Sequence, residues 1–266
     1  MQSEYIELTY VEIGLASVLI LINGAVSLLL KLRLERSLLL AAVRTVIQLV
    51  LIGLVLDWVF DLNRWYAVLL LVFGMTVVAG GAAVHRTERR YPGIYFDAIL
   101  SVWISSWLMA AFALLVLLRR VDPWYQAQYS IPLVGMILGN TLTGVSLGLN
   151  RLGEELSSHR DQVELMLTLG ATRWEAARRA VQQAVRTGMI PIINSMMIVG
   201  IVSLPGMMTG QLLAGVEPTQ AVMYQIVIMF LIASGIALGT LGAVLLSYRR
   251  LFNDRHQFCY GKLDSV

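Results

Sequence analysis

The chain has 266 residues, of which 58% are hydrophobic and only 14% are charged, and its mean hydropathy is +0.73. Soluble globular domains carry about 25% charged residues, so this composition excludes that class and indicates a polytopic membrane protein. The net charge of +3 requires no nucleic-acid partner, because membrane orientation accounts for the basic residues. A single cysteine, Cys259, excludes a disulfide or a cysteine-based metal cluster within one chain.

Uncharged apolar runs predict an all-α fold with seven transmembrane helices, since a helix needs about 20 residues to cross a bilayer. The spans are expected at residues 11–30, 38–56, 65–84, 98–118, 131–149, 187–208 and 219–247. The first fourteen residues contain three glutamates and no Lys or Arg, the opposite of the start of a signal peptide. The first span is therefore expected to be retained, and no second domain is visible.

The basic residues lie mainly on one side of the predicted membrane. With the N-terminus outside, sixteen of the twenty Lys and Arg residues fall in inward segments, three fall in outward segments, and Arg44 lies within span two. The positive-inside rule therefore predicts that the N-terminus is outside and the C-terminus is cytoplasmic.

One long polar segment lies between spans five and six, at about residues 150–190, and it predicts a cytoplasmic helical hairpin. Gly170 suits the left-handed position after the first helix, and Thr172 with Glu175 forms a capping box at the start of the second. The second helix is amphipathic, with Trp174 on its apolar face. This pattern fits both a hairpin lying along the membrane surface and a docking element for another protein.

Span six contains residues that disturb helices. The Pro205-Gly206 pair predicts an interruption, and irregular backbone is tolerated within a membrane only where protein or water shelters it. We therefore expect Met207 to Gln211 to be irregular or re-entrant backbone that faces protein or water. Pro132 is expected to begin span five.

A few polar or soft side chains interrupt the apolar spans and are candidates for a transport path. They are Arg44, Gln48, Asn140, Asn194, Ser195, Met207 and Met208. Arg44 and the two methionines also have ordinary explanations, because an arginine near a span end can extend to the membrane surface and methionines are adaptable packing residues. Within a path, the thioethers would favour a soft ion such as Cu(I).

Several segments resemble known transporter sequences. ELMLTLGATRWEAARRA resembles the EAA-type coupling loop of ABC-transporter permeases, in which a Glu precedes a Gly by six residues, here Glu164 and Gly170. AVRTVIQL, IPLVGMILGN, LTLGAT, VSLPGMMTGQLLAGVEPTQAVMYQIVIMF and YRRLFNDRHQ together resemble the FetB family of bacterial permeases over nearly the whole chain. That family is linked to iron export through a dedicated ATPase subunit, and it has plant relatives associated with aluminium tolerance.

The resemblance implies one transmembrane permease domain over residues 1–266, acting as the subunit of an ABC transporter that exports a metal ion such as iron. Its setting would be the bacterial cytoplasmic (inner) membrane, and its partners a second copy, an ABC ATPase, membrane lipid and the metal-ion substrate. The ATPase contact is expected at Glu164, Leu169, Gly170, Ala171, Thr172, Trp174 and Glu175. The chain has no G-x-x-x-x-G-K-[ST] loop, so ATP and Mg are expected in the partner, with no cofactor or enzymatic activity in this chain.

Two other classes stay open. A secondary transporter or channel for a metal ion would work without an ATPase, but secondary transporters usually carry an acidic residue within a span, and here each Asp and Glu lies at a span end or outside one. A membrane enzyme would need a converging set of catalytic groups. The histidines His85, His159 and His256 all fall in predicted cytoplasmic segments, and the sequence identifies neither a metal-binding set nor the ion and direction of transport.

Overall fold

The structure is a computed structural model that describes residues 9–62, 64–117 and 126–265, and helices dominate those residues as predicted. The helices are α1 Tyr10–Leu29, α2 Glu35–Leu62, α3 Trp65–His85, α4 Ile94–Phe112, α5 Ala127–Ser158, α6 Arg160–Thr168, α7 Arg173–Ile198, α8 Gly206–Leu213 and α9 Pro218–Leu251. A π-helical segment, Ala113–Leu117, extends α4, and Tyr260–Lys262 form a 3-10 turn. Strands β1 Arg89–Arg90 and β2 Asp264–Ser265 pair antiparallel.

Six helices of the described residues are long and apolar enough to cross a membrane: α1, α2, α3, α4 with its π extension, α5 and α9. The chain is therefore a multi-pass membrane protein. The remaining predicted span, residues 187–208, is divided between the end of α7 and the start of α8.

The predicted interruption of that span near Pro205-Gly206 is confirmed, and it begins already at Val199. Helix α7 ends at Ile198 and α8 begins at Gly206, and between them Gly200 adopts a left-handed φ of 80°. The prediction that Met207 to Gln211 would be irregular was wrong, because these residues belong to α8. Pro205 caps the start of that helix, where its missing N–H removes no helical hydrogen bond.

Pro132 does not begin α5, which starts at Ala127, so that prediction was also wrong. A proline in the second turn removes a single helical hydrogen bond, and α5 continues through it for a total of 32 residues. Pro191 likewise lies inside α7.

The chain divides into two compact units, residues 1–63 and residues 64–266. In the first unit, α1 and α2 pack as a helical hairpin whose turn is closed by Ser27. The Ser27 hydroxyl donates to Glu35 at 2.9 Å and accepts the backbone N–H of Leu34, also at 2.9 Å. The single permease domain expected over the whole chain stays a prediction.

In the second unit, α5 and α9 are central: α5 packs against α3, α4, α7 and α9, and α9 also packs against α4 and α7. Small residues allow α5, α7 and α9 to approach closely. A Cβ added at Gly188 of α7 would lie 2.6 Å from the carbonyl oxygen of Gly144 on α5 and 2.6 Å from Thr240 on α9. This close approach without side chains is the packing expected of membrane helices, and it fixes α7 against the other two.

Candidate coupling hairpin and substrate cavity

The predicted hairpin is a direct extension of the helix bundle. Helix α5 continues past the predicted end of span five to Ser158, and α6 follows after His159. The returning arm, α7, runs without interruption from Arg173 to Ile198. Both arms therefore connect the hairpin tip to the bundle through continuous or nearly continuous helix.

The tip between α6 and α7 is a closed turn with a left-handed glycine, as predicted. Gly170 has a φ of 91°, and its N–H donates to the carbonyl of Leu167 at 3.1 Å. The N–H of Ala171 donates to the carbonyl of Met166 at 3.0 Å. These two bonds form a Schellman motif, which satisfies the last carbonyls of α6 and fixes the backbone of the turn.

The predicted capping box at the start of α7 is also confirmed. The N–H of Thr172 donates to the Glu175 carboxylate at 2.8 Å, and the N–H of Glu175 donates to the Thr172 hydroxyl oxygen at 3.3 Å. The backbone N–H of Thr172, followed by its hydroxyl, lowers the pKa of Glu175 below its usual value. The cap is therefore at full strength at neutral pH and is lost as acidification takes the pH down through that lowered pKa.

The tip presents apolar side chains to solvent. Leu169 is 79% exposed and Leu165 is 58% exposed. Glu164 pairs with Arg160 at 2.6 Å, one turn apart on α6. Trp174 lies on the side of α7 that faces α9, with its ring 5.5 Å from that of Tyr248. The residues predicted to couple to an ATPase thus gather at the tip, with Trp174 turned toward the bundle.

A C-terminal clamp, residues 252–263, holds both hairpin helices, and sequence reasoning missed it. The backbone N–H of Arg173 donates to Nδ1 of His256 at 3.0 Å, and its guanidinium donates to Asp254 at 2.9 Å. On α6, the Arg160 guanidinium lies 4.3 Å from the centre of the Tyr260 ring.

The sequence does contain a signal for this clamp, because several aromatic residues lie in an otherwise polar segment. Two of them, Phe252 and Phe258, stack with their ring centres 5.1 Å apart.

An ion pair with a buried carboxylate joins α4 to α9 at the hairpin end of the bundle. Asp97 is 1% exposed and accepts from Nε of Arg250 at 2.6 Å. The Tyr91 hydroxyl also donates to Asp97, at 2.9 Å, and it lies 2.6 Å from the hydroxyl of Ser247. Burial is the main cause that raises the pKa of Tyr91 above its usual range, so this hydroxyl remains a donor.

A cavity of about 320 Å³ lies between α5, α7, α9 and the start of α8. Its polar or sulfur-bearing lining side chains are Met136, Asn140, Ser195, Ser203, Met207, Gln225 and Met229. Three predicted path residues, Asn140, Ser195 and Met207, are thus brought together. Asn194 and Met208 do not line the cavity, and Arg44 and Gln48 lie exposed on α2 in the other unit.

Gln225 is the cavity residue that sequence reasoning most clearly missed. It is 7% exposed, and its side-chain oxygen has no hydrogen-bond partner among the described residues. A buried amide oxygen without a partner is costly, so its presence beside a cavity indicates a ligand or an ordered water. The sequence could have identified Gln225, because it is a polar amide in an apolar span. Asn140 was chosen as a candidate for the same reason.

The cavity offers neutral ligands only. Thioether sulfurs and amide and hydroxyl oxygens converge there, and the described residues contain no cluster of three or more His, Cys, Asp or Glu that could hold a metal ion. Thioethers suit soft ions and amide oxygens suit harder ones, so the set could bind a metal cation without holding it tightly.

Comparison with known proteins decides the family. A family model described as "Uncharacterised protein family (UPF0014)" matches residues 10–252. The chain belongs to the UPF0014 family. A UPF0014 membrane protein of Synechocystis, slr1647, is 39% identical over 97% of this chain and 99% of its own length. No solved structure matches the chain.

Other UPF0014 relatives have names that describe a role. The "Probable iron export permease protein FetB" of Escherichia coli is 33% identical over 96% of this chain and 97% of its own length. The "Protein ALUMINUM SENSITIVE 3" of Arabidopsis thaliana is 30% identical over 91% of this chain and 87% of its own. The resemblance to FetB-type permeases is therefore confirmed, and this UPF0014 chain is a member of a membrane permease family.

Proposed function

We propose that this chain is the permease subunit of an ABC transporter that exports a metal ion such as iron across a bacterial inner membrane. Two copies would form the membrane part, and each would bind a separate ATPase subunit that holds ATP and Mg. Support comes from the name of the Escherichia coli relative, which is similar over nearly the full length of both chains. In this proposal all 266 residues act as one permease domain without enzymatic activity of their own.

The capped hairpin tip is the observation that carries the proposal. Leu169 stands 79% exposed on a turn whose backbone is fixed by caps on both sides, so the tip is a rigid apolar knob. An ATPase groove that covers this knob would bury Leu169 without first having to order a loop. The proposed contact consists of Glu164, Leu169, Gly170, Ala171, Thr172, Trp174 and Glu175.

The connection of the tip to the bundle gives such a contact a mechanical consequence. Helix α7 passes from the tip to the cavity residue Ser195 without interruption, and α5 passes from the cavity residue Asn140 to Ser158 beside the hairpin. A displacement of the tip by an ATPase would therefore move cavity-lining residues on two helices. Hydrolysis in the partner could thus open the cavity alternately to the two sides of the membrane.

We also propose that the hairpin and the C-terminal clamp are cytoplasmic and that the N-terminus is outside. In the second unit, basic segments far apart in sequence meet at the hairpin end: Arg89 donates to Ser157 at 2.7 Å, and Arg173 contacts the clamp. Such a cluster is expected on the inner face. A reporter that is active only in the cytoplasm should be active when fused after residue 266, and activity when it is fused ahead of residue 1 would contradict this orientation.

The cavity is the proposed substrate site on the translocation path. Asn140, Ser195 and Met207 would contact the ion together with Gln225 and Met229. Arg44, Gln48, Asn194 and Met208 do not line the cavity and remain proposed contributors elsewhere on the path.

Gln225→Leu should reduce metal export by about tenfold, which corresponds to the loss of about 1.4 kcal/mol of ion interaction. The fold should survive, because replacing an unpaired buried polar group by an apolar group of similar size is close to neutral. Gln220→Leu is the matched control, since Gln220 is exposed on the same helix and does not line the cavity. Export by Gln225→Leu at the unmodified rate, with the melting temperature unchanged, would place the path elsewhere.

The function as a whole is tested by expressing the chain with and without an ABC ATPase and measuring cell-associated Fe, Mn, Cu and Zn. We expect the content of one metal to fall only when both subunits are present and the ATPase can hydrolyse ATP. The purified chain alone, reconstituted in liposomes with an ion gradient, should not transport that metal. Transport under those conditions would instead identify a secondary transporter or a channel.

A further inference from the structure

A groove of about 540 Å³ runs between α4 and α9 and ends beside the hairpin. Leu100, Ile104 and Leu108 form one wall at spacings of four residues, which places them on one face of α4. At a rise of about 1.5 Å per residue this wall is about 12 Å long, close to half of a hydrocarbon core about 30 Å thick. The apolar part of the groove therefore has the depth of one membrane leaflet.

The floor of the groove is suited to hydrocarbon, although it contains two serines. The Ser101 hydroxyl donates to the carbonyl of Asp97 at 2.7 Å, and the Ser105 hydroxyl donates to the carbonyl of Ser101 at 2.7 Å. Both hydroxyl protons are thus used within α4. Gly242 adds a position without a side chain on the α9 side, where a Cβ would lie 3.3 Å from the Ser101 hydroxyl.

The hairpin end of the same groove is aromatic and then cationic. Trp174, Tyr248 and Arg249 line it there. Arg249 also lines an adjacent cleft of about 440 Å³, together with Lys262 and Arg250. Arg250 is paired with Asp97, whereas Arg249 has no ion pair among the described residues. The groove therefore passes from leucines to an aromatic pair to a free guanidinium, in the order found from the core of a leaflet to its surface.

We propose that this groove binds one anionic phospholipid, with an acyl chain between α4 and α9 and its phosphate at Arg249 and Lys262. Cationic pockets between transmembrane helices are suited to anionic headgroups, and the amphipathic order of the lining matches a phospholipid along its whole length. The Trp174 and Tyr248 rings would then lie beside the glycerol region, between the leucine wall and Arg249. The site does not depend on the transported ion, and Trp174 is the one residue that it shares with the proposed ATPase contact.

The charge at the mouth of the groove favours lipid over a second copy of this chain. A second copy placed there symmetrically would bring another Arg249 and another Lys262 to the same cleft, where Asp254 is the one carboxylate among the described lining residues. Asp254 already pairs with Arg173. An anionic headgroup would neutralise the cleft instead, and it would lie against Trp174, four residues beyond the hairpin tip at Gly170.

The test uses the full chain purified into nanodiscs that contain equal amounts of phosphatidylglycerol and phosphatidylcholine, followed by native mass spectrometry after release into detergent. We expect one retained phosphatidylglycerol per chain. Arg249→Gln should lower its retention about fivefold, since one basic group near an anionic headgroup is worth about 1 kcal/mol. Arg178→Gln is the matched control, because it removes the same charge from an exposed position on α7 that does not line the groove.

Two further variants test the groove itself. Ile104→Trp fills the apolar wall and should lower retention of the lipid, while Leu70→Trp on an exposed face of α3 should not. Equal retention of the two lipids, or unchanged retention in both Arg249→Gln and Ile104→Trp, would overturn the proposal. It would also be overturned if Ile104→Cys in a Cys259→Ser background formed a disulfide-linked dimer in membranes, because a second copy would then cover the groove.

Discussion

Gly170→Val is expected to abolish ATP-driven export while the ATPase continues to hydrolyse ATP. Gly170 has a φ of 91°, where a side chain of L configuration costs about 1–2 kcal/mol and a β-branched one is a marked outlier. Apart from its two chain neighbours, no described residue has a heavy atom within 4 Å of the position that a new Cβ would take, so backbone strain rather than a clash opens the turn. A loosened tip can remain bound to the ATPase and still fail to pass its movement to α7.

The matched control at this position is Gly170→Asn, because asparagine tolerates the left-handed region. Export and ATP hydrolysis should be measured in parallel in proteoliposomes that contain both subunits. We expect Gly170→Asn to retain most of the export, and Gly170→Val to lose it by more than about tenfold at a similar hydrolysis rate. Full coupling in Gly170→Val would show that the shape of the tip does not matter to energy transfer.

Arg250→Met is expected to lower the melting temperature of the protein more than a substitution that removes a charge from an exposed ion pair. It leaves Asp97, which is 1% exposed, without its cationic partner, and because the Arg250 side chain is itself 42% exposed we expect a cost of about 1–3 kcal/mol, that of a buried group left unpaired. The contact between Tyr91 and Asp97 would remain and would not compensate for the charge. Thermal unfolding in detergent, followed by tryptophan fluorescence, measures the effect.

Two controls separate the buried charge from general damage. Asp254→Asn breaks a pair with Arg173 in which the carboxylate is fully exposed, and such pairs contribute only about 0–1 kcal/mol. Adding Asp97→Asn to Arg250→Met removes the stranded charge and should recover much of the lost stability. A melting temperature for Arg250→Met equal to that of Asp254→Asn would mean that Asp97 is not buried as a carboxylate.

The hairpin was predictable from sequence because its determinants are local. A left-handed glycine and a threonine with a glutamate three residues later act through hydrogen bonds within one turn, so they need no information about the rest of the fold. The prediction of irregular backbone at Met207 to Gln211 failed for a local reason too. Gly200, in the left-handed conformation, follows the end of α7, and Pro205 precedes the start of α8. The proline therefore marks the start of a new helix, so the residues after it are helical.

The cavity could be predicted only in part, because packing decides which polar residues meet. Asn140 and Gln225 lie on α5 and α9, and they line one cavity because glycines and threonines bring those helices together. A search for polar residues within spans finds candidates but not their grouping, so it also selected Asn194, which is exposed. Met136 was missed for the same reason, since a methionine in a span is more often packing.

The C-terminal clamp has a consequence for the order in which the protein matures. The ribosome makes α6 and α7 well before residues 252–263, so the two hairpin helices leave it without the His256 and Tyr260 contacts that hold them. The bundle can be complete through α9 while the hairpin still lacks this support. A partner that recognises only the clamped hairpin would thereby bind chains in which residues 252–263 have been made and ignore those in which they have not.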